Sequence, residues 1–152
     1  MKKVLFLVLL ACTFLQAQAQ KVTLFDKLSN DKNVTTVFIS KALLSMLPHI
    51  DKGGTNIKSI ANKLSQIEVY TTESQSSIRV IKSEMDALSR NRRYERIMQV
   101  KDKGQNVVFL AEHQDNVFKD LVMFVDGDKE YTVVRLMGTF TPDDIQKVVN
   151  KK

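Results

Sequence analysis

VFKDLVMFVDGDKEYTVVRLMGTF, residues 117–140, contains two runs of apolar, β-branched and aromatic side chains that flank a short polar loop. Such residues are typical of strands, and a glycine in a polar loop between two of these runs is typical of a hairpin. Glycine suits the loop because it adopts the positive φ of a tight turn at little steric cost. We therefore predict two antiparallel strands joined by Asp126–Lys129, with Gly127 in the turn. A hairpin alone is marginally stable in water, so other elements must cover it.

The second of these runs is apolar on both sides. Side chains alternate along a strand, so Val134, Leu136 and Phe140 face one way while Val133 and Met137 face the other. Two apolar faces are compatible with a core on each side of the sheet, or with a pocket between the sheet and its helices.

Four further strands are predicted from β-branched content and from the turn residues between the runs. They span residues 33–40, 67–72, 94–101 and 106–112. The segment Asp102–Gln105 contains a glycine and is expected to form a second hairpin turn.

Five helices are predicted from apolar residues at spacings of three and four and from capping residues. They span residues 22–31, 41–47, 55–64, the segment from a cap at Ser74, Ser76 or Ser77 to about Asn91, and a final helix that begins at Thr141-Pro142. Ser40 is the expected N-cap of the second helix, and Pro48 is expected to end it. The longest helix carries a core-facing stripe of Ile78, Ile81, Met85 and Leu88.

From residue 33 onward the predicted element order is β-α-α-β-α-β-β-β-β-α. Four consecutive hairpin-linked strands predict an antiparallel meander, and the helices between the earlier strands predict that one sheet face is covered by helices. We therefore predict a single two-layer α+β domain over residues 33–152, preceded by an N-terminal segment over residues 20–32. No internal repeat or linker divides this domain.

Residues 1–19 are predicted to be a signal peptide. Lys2 and Lys3 form a basic start, and residues 4–15 form an apolar run that is too short to span a bilayer. Ala17-Gln18-Ala19 is a typical cleavage site, so the mature chain is expected to begin at Gln20. The protein is therefore expected to be exported, to the periplasm or outside the cell.

Cys12 leaves a second interpretation of this segment open. The residues Leu9-Leu10-Ala11-Cys12 resemble a lipobox, in which the lipidated cysteine becomes the first residue and anchors the protein to a membrane. Cleavage after Ala19 would instead discard the only cysteine of the chain. The mature protein would then have no thiol for a disulfide, a metal site or a nucleophile.

The charge of the mature chain is mildly basic. Cleavage after Ala19 leaves 133 residues, and the loss of Lys2 and Lys3 from 23 basic and 17 acidic residues leaves a net charge of +4. This charge permits contact with anionic lipid or polysaccharide, and we expect no nucleic-acid partner. No second apolar run is long enough for a transmembrane helix.

A combination of short segments, in order along the chain, carries a family resemblance. They are Val37-Phe38-Ile39-Ser40-Lys41 with Met46, Tyr94-Glu95 with Met98 and Val100-Lys101-Asp102, Asn106-Val107, Leu121-Val122, Leu136, Gly138 and the helix start after Thr141. In these segments the chain resembles a bacterial family of exported domains of unknown function. The resemblance implies a small envelope domain behind a signal or lipoprotein peptide, and it implies no reaction.

No catalytic, cofactor or metal-binding pattern stands out in the sequence. His49 and His113 lack the helical spacing of a metal site, and Asp143 and Asp144 point in different directions on a helix. We therefore predict a protein that is not an enzyme and binds no cofactor. An enzyme whose site forms only on folding remains a third hypothesis.

A basic segment is the most distinctive surface feature. It consists of Arg90, Arg92, Arg93, Arg96, Lys101 and Lys103. One interpretation is that these cations favour the negative end of the longest helix. The other is that they dock onto anionic head groups or an acidic partner.

The leading functional hypothesis is a non-catalytic binding module of the cell envelope. Its partner would be an unknown envelope protein, or an anionic membrane or polysaccharide surface. The alternative is a periplasmic carrier that holds a small apolar or lipid ligand between sheet and helices. The sequence leaves open the strand order, the free sheet edges and the oligomeric state.

Overall fold

A computed structural model describes residues 23–46 and 61–144 of the chain. The helices that lie wholly within these ranges are α1 (Leu24–Ser29), α2 (Lys41–Met46) and α3 (Gln75–Ser89). Residues 142–144 are also helical and confirm the predicted helix start after Thr141. The strands are β1 (Thr35–Ser40), β2 (Leu64–Thr72), β3 (Tyr94–Asp102), β4 (Gln105–Gln114), β5 (Val117–Asp126) and β6 (Tyr131–Phe140). The predictions that lie outside the described residues concern the signal peptide with Cys12, Ala19 and Gln20, Pro48, His49, residues 55–60 and the final helix beyond Asp144.

A six-stranded antiparallel sheet in the order β1-β2-β6-β5-β4-β3 dominates the fold. The predicted meander is confirmed from β3 to β6, because each of these strands pairs with the next one. β6 then lies beside β2, which joins the β1–β2 pair to the meander. β1 and β3 are therefore the two edge strands. The sheet and its helices confirm the predicted α+β domain.

The hairpin over residues 117–140 is confirmed, but its turn differs from the prediction. The Gly127 N–H donates to the Glu130 carbonyl at 3.0 Å and closes a loop of four residues. Gly127 has no positive φ, whereas Gly104 in the second hairpin turn has a φ of 88°. Gly127 lies in the loop as predicted. The positive φ expected of it is absent, because a loop of this length closes without the left-handed residue that a two-residue turn requires.

Capping residues set the starts of the short helices. Thr23 begins α1 with a capping box, in which its hydroxyl accepts from the Asp26 N–H and its own N–H donates to the Asp26 carboxylate at 2.9 Å. Ser40 accepts from the Leu43 N–H at 3.4 Å and confirms the predicted cap of α2.

Two helix predictions need correction. Ser74 holds the N-cap position of α3, but its side chain makes no capping bond and instead lies 2.8 Å from the Ser76 hydroxyl. The helix predicted over residues 55–64 ends too late, since Leu64 is the first residue of β2. Leu64 is apolar and buried, and a buried apolar residue at an element boundary fits either period.

The two faces of the sheet are packed differently. α1 and α3 lie on one face, here called the covered face, over the larger core that includes Tyr70, Leu110 and Phe124. The predicted stripe of α3 packs into this core. The other face, here called the open face, has a smaller cluster at one end where Leu44 of α2 packs near Leu121.

Candidate functional site

A buried ion-pair cluster lies on the covered face beside α1. Arg135 of β6 donates from Nε and Nη2 to the carboxylate of Asp120 on β5, at distances between 2.6 and 3.1 Å. Its Nη1 lies 3.4 Å from Glu68 Oε2, and its guanidinium carbon lies 3.8 Å from the ring centre of Phe25. The sheet register produces this arrangement, because Glu68 and Arg135 are directly opposed on β2 and β6.

Two tyrosines complete the cluster. The Tyr94 hydroxyl donates to Asp120 at 2.9 Å, and the Tyr70 hydroxyl donates to Glu68 at 3.0 Å. Burial, together with the charge of Asp120, raises the pKa of Tyr94, so its hydroxyl remains a proton donor. In the described ranges every buried side-chain nitrogen and oxygen has a hydrogen-bond partner. The charges therefore satisfy one another and hold β2, β5 and β6 in register.

A cleft of about 460 Å³ opens above this cluster, between α1, α3 and the sheet. Asp120, Tyr94 and Arg135 line it together with Phe25 and Leu88. Glu84, Arg93 and Glu112 add further charged side chains to its lining. Pockets for apolar ligands carry only a few polar groups, whereas five charged side chains line this cleft.

Residues 23–46 and 61–144 bring together no group of three or more histidine, cysteine or acidic side chains that could hold a metal ion. Nor do these ranges contain a helix with the length and apolar composition needed to cross a bilayer.

The predicted basic segment lies along the β3 edge of the sheet. Arg90 is the C-cap residue of α3, Arg92 and Arg93 follow it in the loop, and the other three lie on β3 and in its turn. All six side chains are exposed. The interpretation that these cations favour the helix dipole thus fits Arg90 alone, because the other five lie beyond the end of α3.

Arg93 differs from the other members of the basic segment. Its guanidinium contacts Glu112 through Nη2 and through Nε, the latter at 3.0 Å. Arg96 donates to the amide oxygen of Gln99 at 3.3 Å. Among the described residues, Arg93 is the one member of the segment with an ion pair. The other five present unpaired cations at this edge within the described part of the chain.

His113 lies at the end of β4, where the prediction placed it. Its Nε2 is 2.8 Å from the Glu95 carboxylate on β3, and its Nδ1 is 3.2 Å from the Asp115 carbonyl. The hydrogen bond to Glu95 and then that to Asp115 raise the pKa of His113 above its usual value. The pair is exposed and links the two strands.

The open face carries two rows of uncharged side chains that cross all six strands. In the first row each residue is directly opposed to the next: Val37, Val69, Val134, Met123, Phe109 and Met98. The second row runs in the same way through Thr35, Thr71, Thr132, Val125, Val107 and Val100. We call these twelve residues the open rows. None of them is buried, and those on β1 and β3 are exposed, with Val37 at 48% and Met98 at 46%.

Neither the ion-pair cluster nor the open rows follow from the sequence pattern alone. Asp120 and Arg135 each interrupt an apolar strand run, and a charge inside such a run is the one signal of a buried pair. The rows depend on which strands are neighbours, and the sequence does not contain that information. The pattern in β6 did indicate apolar residues on both faces, which the two clusters confirm.

The fold and these surfaces define a small α+β domain with a packed polar cluster and an open apolar sheet face. A family model described as "Domain of unknown function (DUF4252)" matches residues 25–148, so the chain belongs to this family. The match covers all the described elements from Phe25 onward. No curated protein and no solved structure matches the chain.

Proposed function

We propose that this chain is a non-catalytic binding module of the cell envelope that docks onto an anionic membrane surface. One observation carries the proposal, namely the open rows, in which no side chain is buried. An antiparallel sheet with one solvated face normally alternates apolar side chains inward with polar ones outward. Here nine of the twelve outward residues are apolar and three are threonine. An apolar composition is not expected on a face that contacts water, whereas it is expected on a face that docks onto a partner.

The size of the patch supports docking. Six strands about 4.8 Å apart and two rows about 7 Å apart give a flat area of about 400 Å². Apolar patches of this size are among the largest on soluble monomers and often mark interaction sites. Leu43 and Met46 on α2, the helix that packs on this same face, add exposed apolar surface at 50% and 76%.

The charge beside the patch supports an anionic membrane as the partner. Both open rows end on β3. The basic segment lies along the same edge strand and its flanking loops, with Arg96 on the covered face because it is opposed to Leu110. Residues 90–103 contain six basic and two acidic side chains. Long cationic side chains at the edge of an apolar face match the lipid interface, where head-group phosphates lie above the hydrocarbon. The predicted export signal would bring the protein to such a surface.

Vesicle co-sedimentation tests the open rows. Wild-type protein is expected to sediment with phosphatidylglycerol-containing vesicles more than with pure phosphatidylcholine vesicles. Val100→Glu is expected to lower binding by about tenfold, because a carboxylate would have to leave water beside an anionic surface. Val80→Glu on α3 is the matched control, since both valines are 44% exposed and Val80 belongs to the helix on the covered face.

An equal loss of vesicle affinity in Val100→Glu and Val80→Glu would overturn the assignment of membrane binding to the open rows. So would binding to an anionic polysaccharide without binding to vesicles.

The basic segment is tested separately by changing Arg90, Arg92, Arg93 and Arg96 to serine. Binding should weaken and lose most of its salt dependence, because fewer cations then contact the head groups. Unchanged envelope association and unchanged partner recovery would contradict a role for this segment.

A carrier of a small apolar ligand is the second candidate function. The open rows favour it too, because an acyl chain could lie along them beside α2. Native mass spectrometry of freshly purified protein distinguishes the two, since a carrier retains a co-purifying small molecule. A carrier would also release that ligand to vesicles and return to solution instead of remaining bound.

A further inference from the structure

We propose that β1 pairs in antiparallel fashion with β1 of a second copy of this chain. The two six-stranded sheets would then join into one continuous sheet of twelve strands. The proposal rests on the chemistry of the two sheet edges and is independent of membrane binding.

The two edges differ in how they are protected. β3 carries Glu95, Arg96, Lys101 and Asp102, and its pairing with β4 shifts register between Arg96 and Met98. Charges and bulges are the devices by which native proteins prevent an edge strand from pairing with another chain. β3 therefore has the features of an edge strand that does not pair with another chain.

β1 has none of these features. Its sequence Thr35–Ser40, TTVFIS, contains no charge, proline or glycine, and it pairs with β2 in one unbroken register. Val37 and Phe38 are 48% and 58% exposed. An uncharged, regular and apolar edge is a template for strand addition, so we infer that β1 pairs with a strand of a partner.

The residue pattern of β1 favours a second copy over an unrelated strand. Thr36-Val37-Phe38-Ile39-Ser40 has the same chemistry in both directions: hydroxyl, β-branched, aromatic, β-branched, hydroxyl. An antiparallel pair centred on Phe38 sets Phe38 against Phe38, Val37 against Ile39 and Thr36 against Ser40. Aromatic, aliphatic and hydroxyl cross-strand pairs each stabilise a sheet. A two-fold contact requires such self-complementarity, whereas an unrelated strand does not.

The two-fold symmetry of this pairing fixes how the open faces of the two copies are oriented. Because opposed residues in a sheet share a face, the two-fold axis of this pairing is normal to the sheet. The open faces of both copies therefore lie on the same side. Val37 of one copy is opposed to Ile39 of the other, so the open row that contains Val37 continues into the second copy. It meets that copy at the end of the open face on which α2 packs. The dimer thus doubles the open face, which would strengthen any docking through it.

Sedimentation analysis without lipid tests the pairing. The purified chain is expected to be a dimer at micromolar concentration. Phe38→Lys should raise the dimer dissociation constant by about tenfold or more, because two cations would face each other in place of two rings. Ile97→Lys is the matched control, because it adds the same charge at an exposed position of the β3 edge.

A monomeric wild-type chain would overturn the proposal. So would a dimer that Ile97→Lys weakens and Phe38→Lys does not.

Cysteine cross-linking tests the register. Across the proposed axis the two Phe38 Cα atoms are about 4.5–5.5 Å apart, within the range of a disulfide. Phe38→Cys, in a Cys12→Ser background, should therefore form a disulfide-linked dimer on mild oxidation. Thr36→Cys is the control, since its Cα lies about 13 Å from its counterpart and cannot be bridged. Equal cross-linking of both variants, or cross-linking of Thr36→Cys alone, would overturn the register.

Discussion

Replacing Asp120 by asparagine tests how much the buried ion-pair cluster contributes to stability. The change keeps the shape of the side chain and removes its charge. The Asp120 side chain is 6% exposed and that of Arg135 is 20% exposed, so the charge of Arg135 would lose its main partner in a region with little water. Removal of one member of a buried ion pair costs about 3–5 kcal/mol.

The environment of Arg135 reduces this cost. Glu68 still lies 3.4 Å away and retains part of the attraction, and a fifth of the Arg135 side chain reaches solvent. We therefore expect Asp120→Asn to lower the free energy of unfolding by about 2–3 kcal/mol. The melting temperature should fall by about 10 °C.

Urea denaturation of four proteins forms the assay: wild type, Asp120→Asn, Arg135→Met and the double variant. If the two residues form one unit, the double variant should lose about 1–3 kcal/mol less than the sum of the single losses. Glu112→Gln is the control, since it makes the same chemical change in a pair whose arginine, Arg93, is 71% exposed. That control should cost less than about 1 kcal/mol. Additive single losses, or equal losses for Asp120→Asn and Glu112→Gln, would refute the reasoning.

Three further predictions concern stability and protonation. Gly138→Ala should destabilise the fold by about 2 kcal/mol or more in urea denaturation, because its Cβ would lie 2.3 Å from the Lys63 carbonyl oxygen and one backbone would have to move. The Lys63 ammonium and then the hydrogen bonds of the cap lower the pKa of Asp144 to about 2, so this group stabilises the fold above its unfolded pKa of 3.8 and the contribution is lost as the pH falls toward 2. Asp144→Asn should therefore flatten the loss of stability between about pH 4 and pH 2, and an unchanged acid profile would contradict this. The hydrogen bond to Glu95 raises the pKa of His113, so an NMR titration should find this pKa above 6.5, and Glu95→Gln should lower it. The contribution of His113 to folding stability is complete below its pKa in the unfolded chain and is lost as the pH rises through its pKa in the folded protein.

Element types were largely predictable because they depend on local periodicity. The stripe from Ile78 to Leu88 requires only that apolar residues recur every three or four positions, and the structure confirms it as the buried side of α3. The alternation around Val133 and Val134 likewise indicated a strand with two apolar faces. Boundaries were less predictable, as Leu64 shows, because one buried apolar residue fits a helix end or a strand start equally well.

The binding surfaces were only partly predictable. The basic segment was recognisable as a surface feature because clustered cations rarely lie in a core, and all six of its side chains are exposed. Its position along an edge strand was not predictable, because a strand becomes an edge only through the pairing of all the others. The same reasoning applies to Thr35–Ser40, whose uncharged composition becomes informative only once β1 is known to be an edge.

The sequence by itself determined the α+β class, the antiparallel meander from β3 to β6, the helical stripe and membership of a family of unknown function. Only the tertiary structure decided that β6 lies beside β2. This pairing sets Arg135 against Glu68, brings Gly138 against the Lys63 backbone and aligns twelve uncharged residues across the open face. The physical reason is that turns and periodicity act between near neighbours in the chain, whereas the order of strands depends on contacts between residues far apart in sequence.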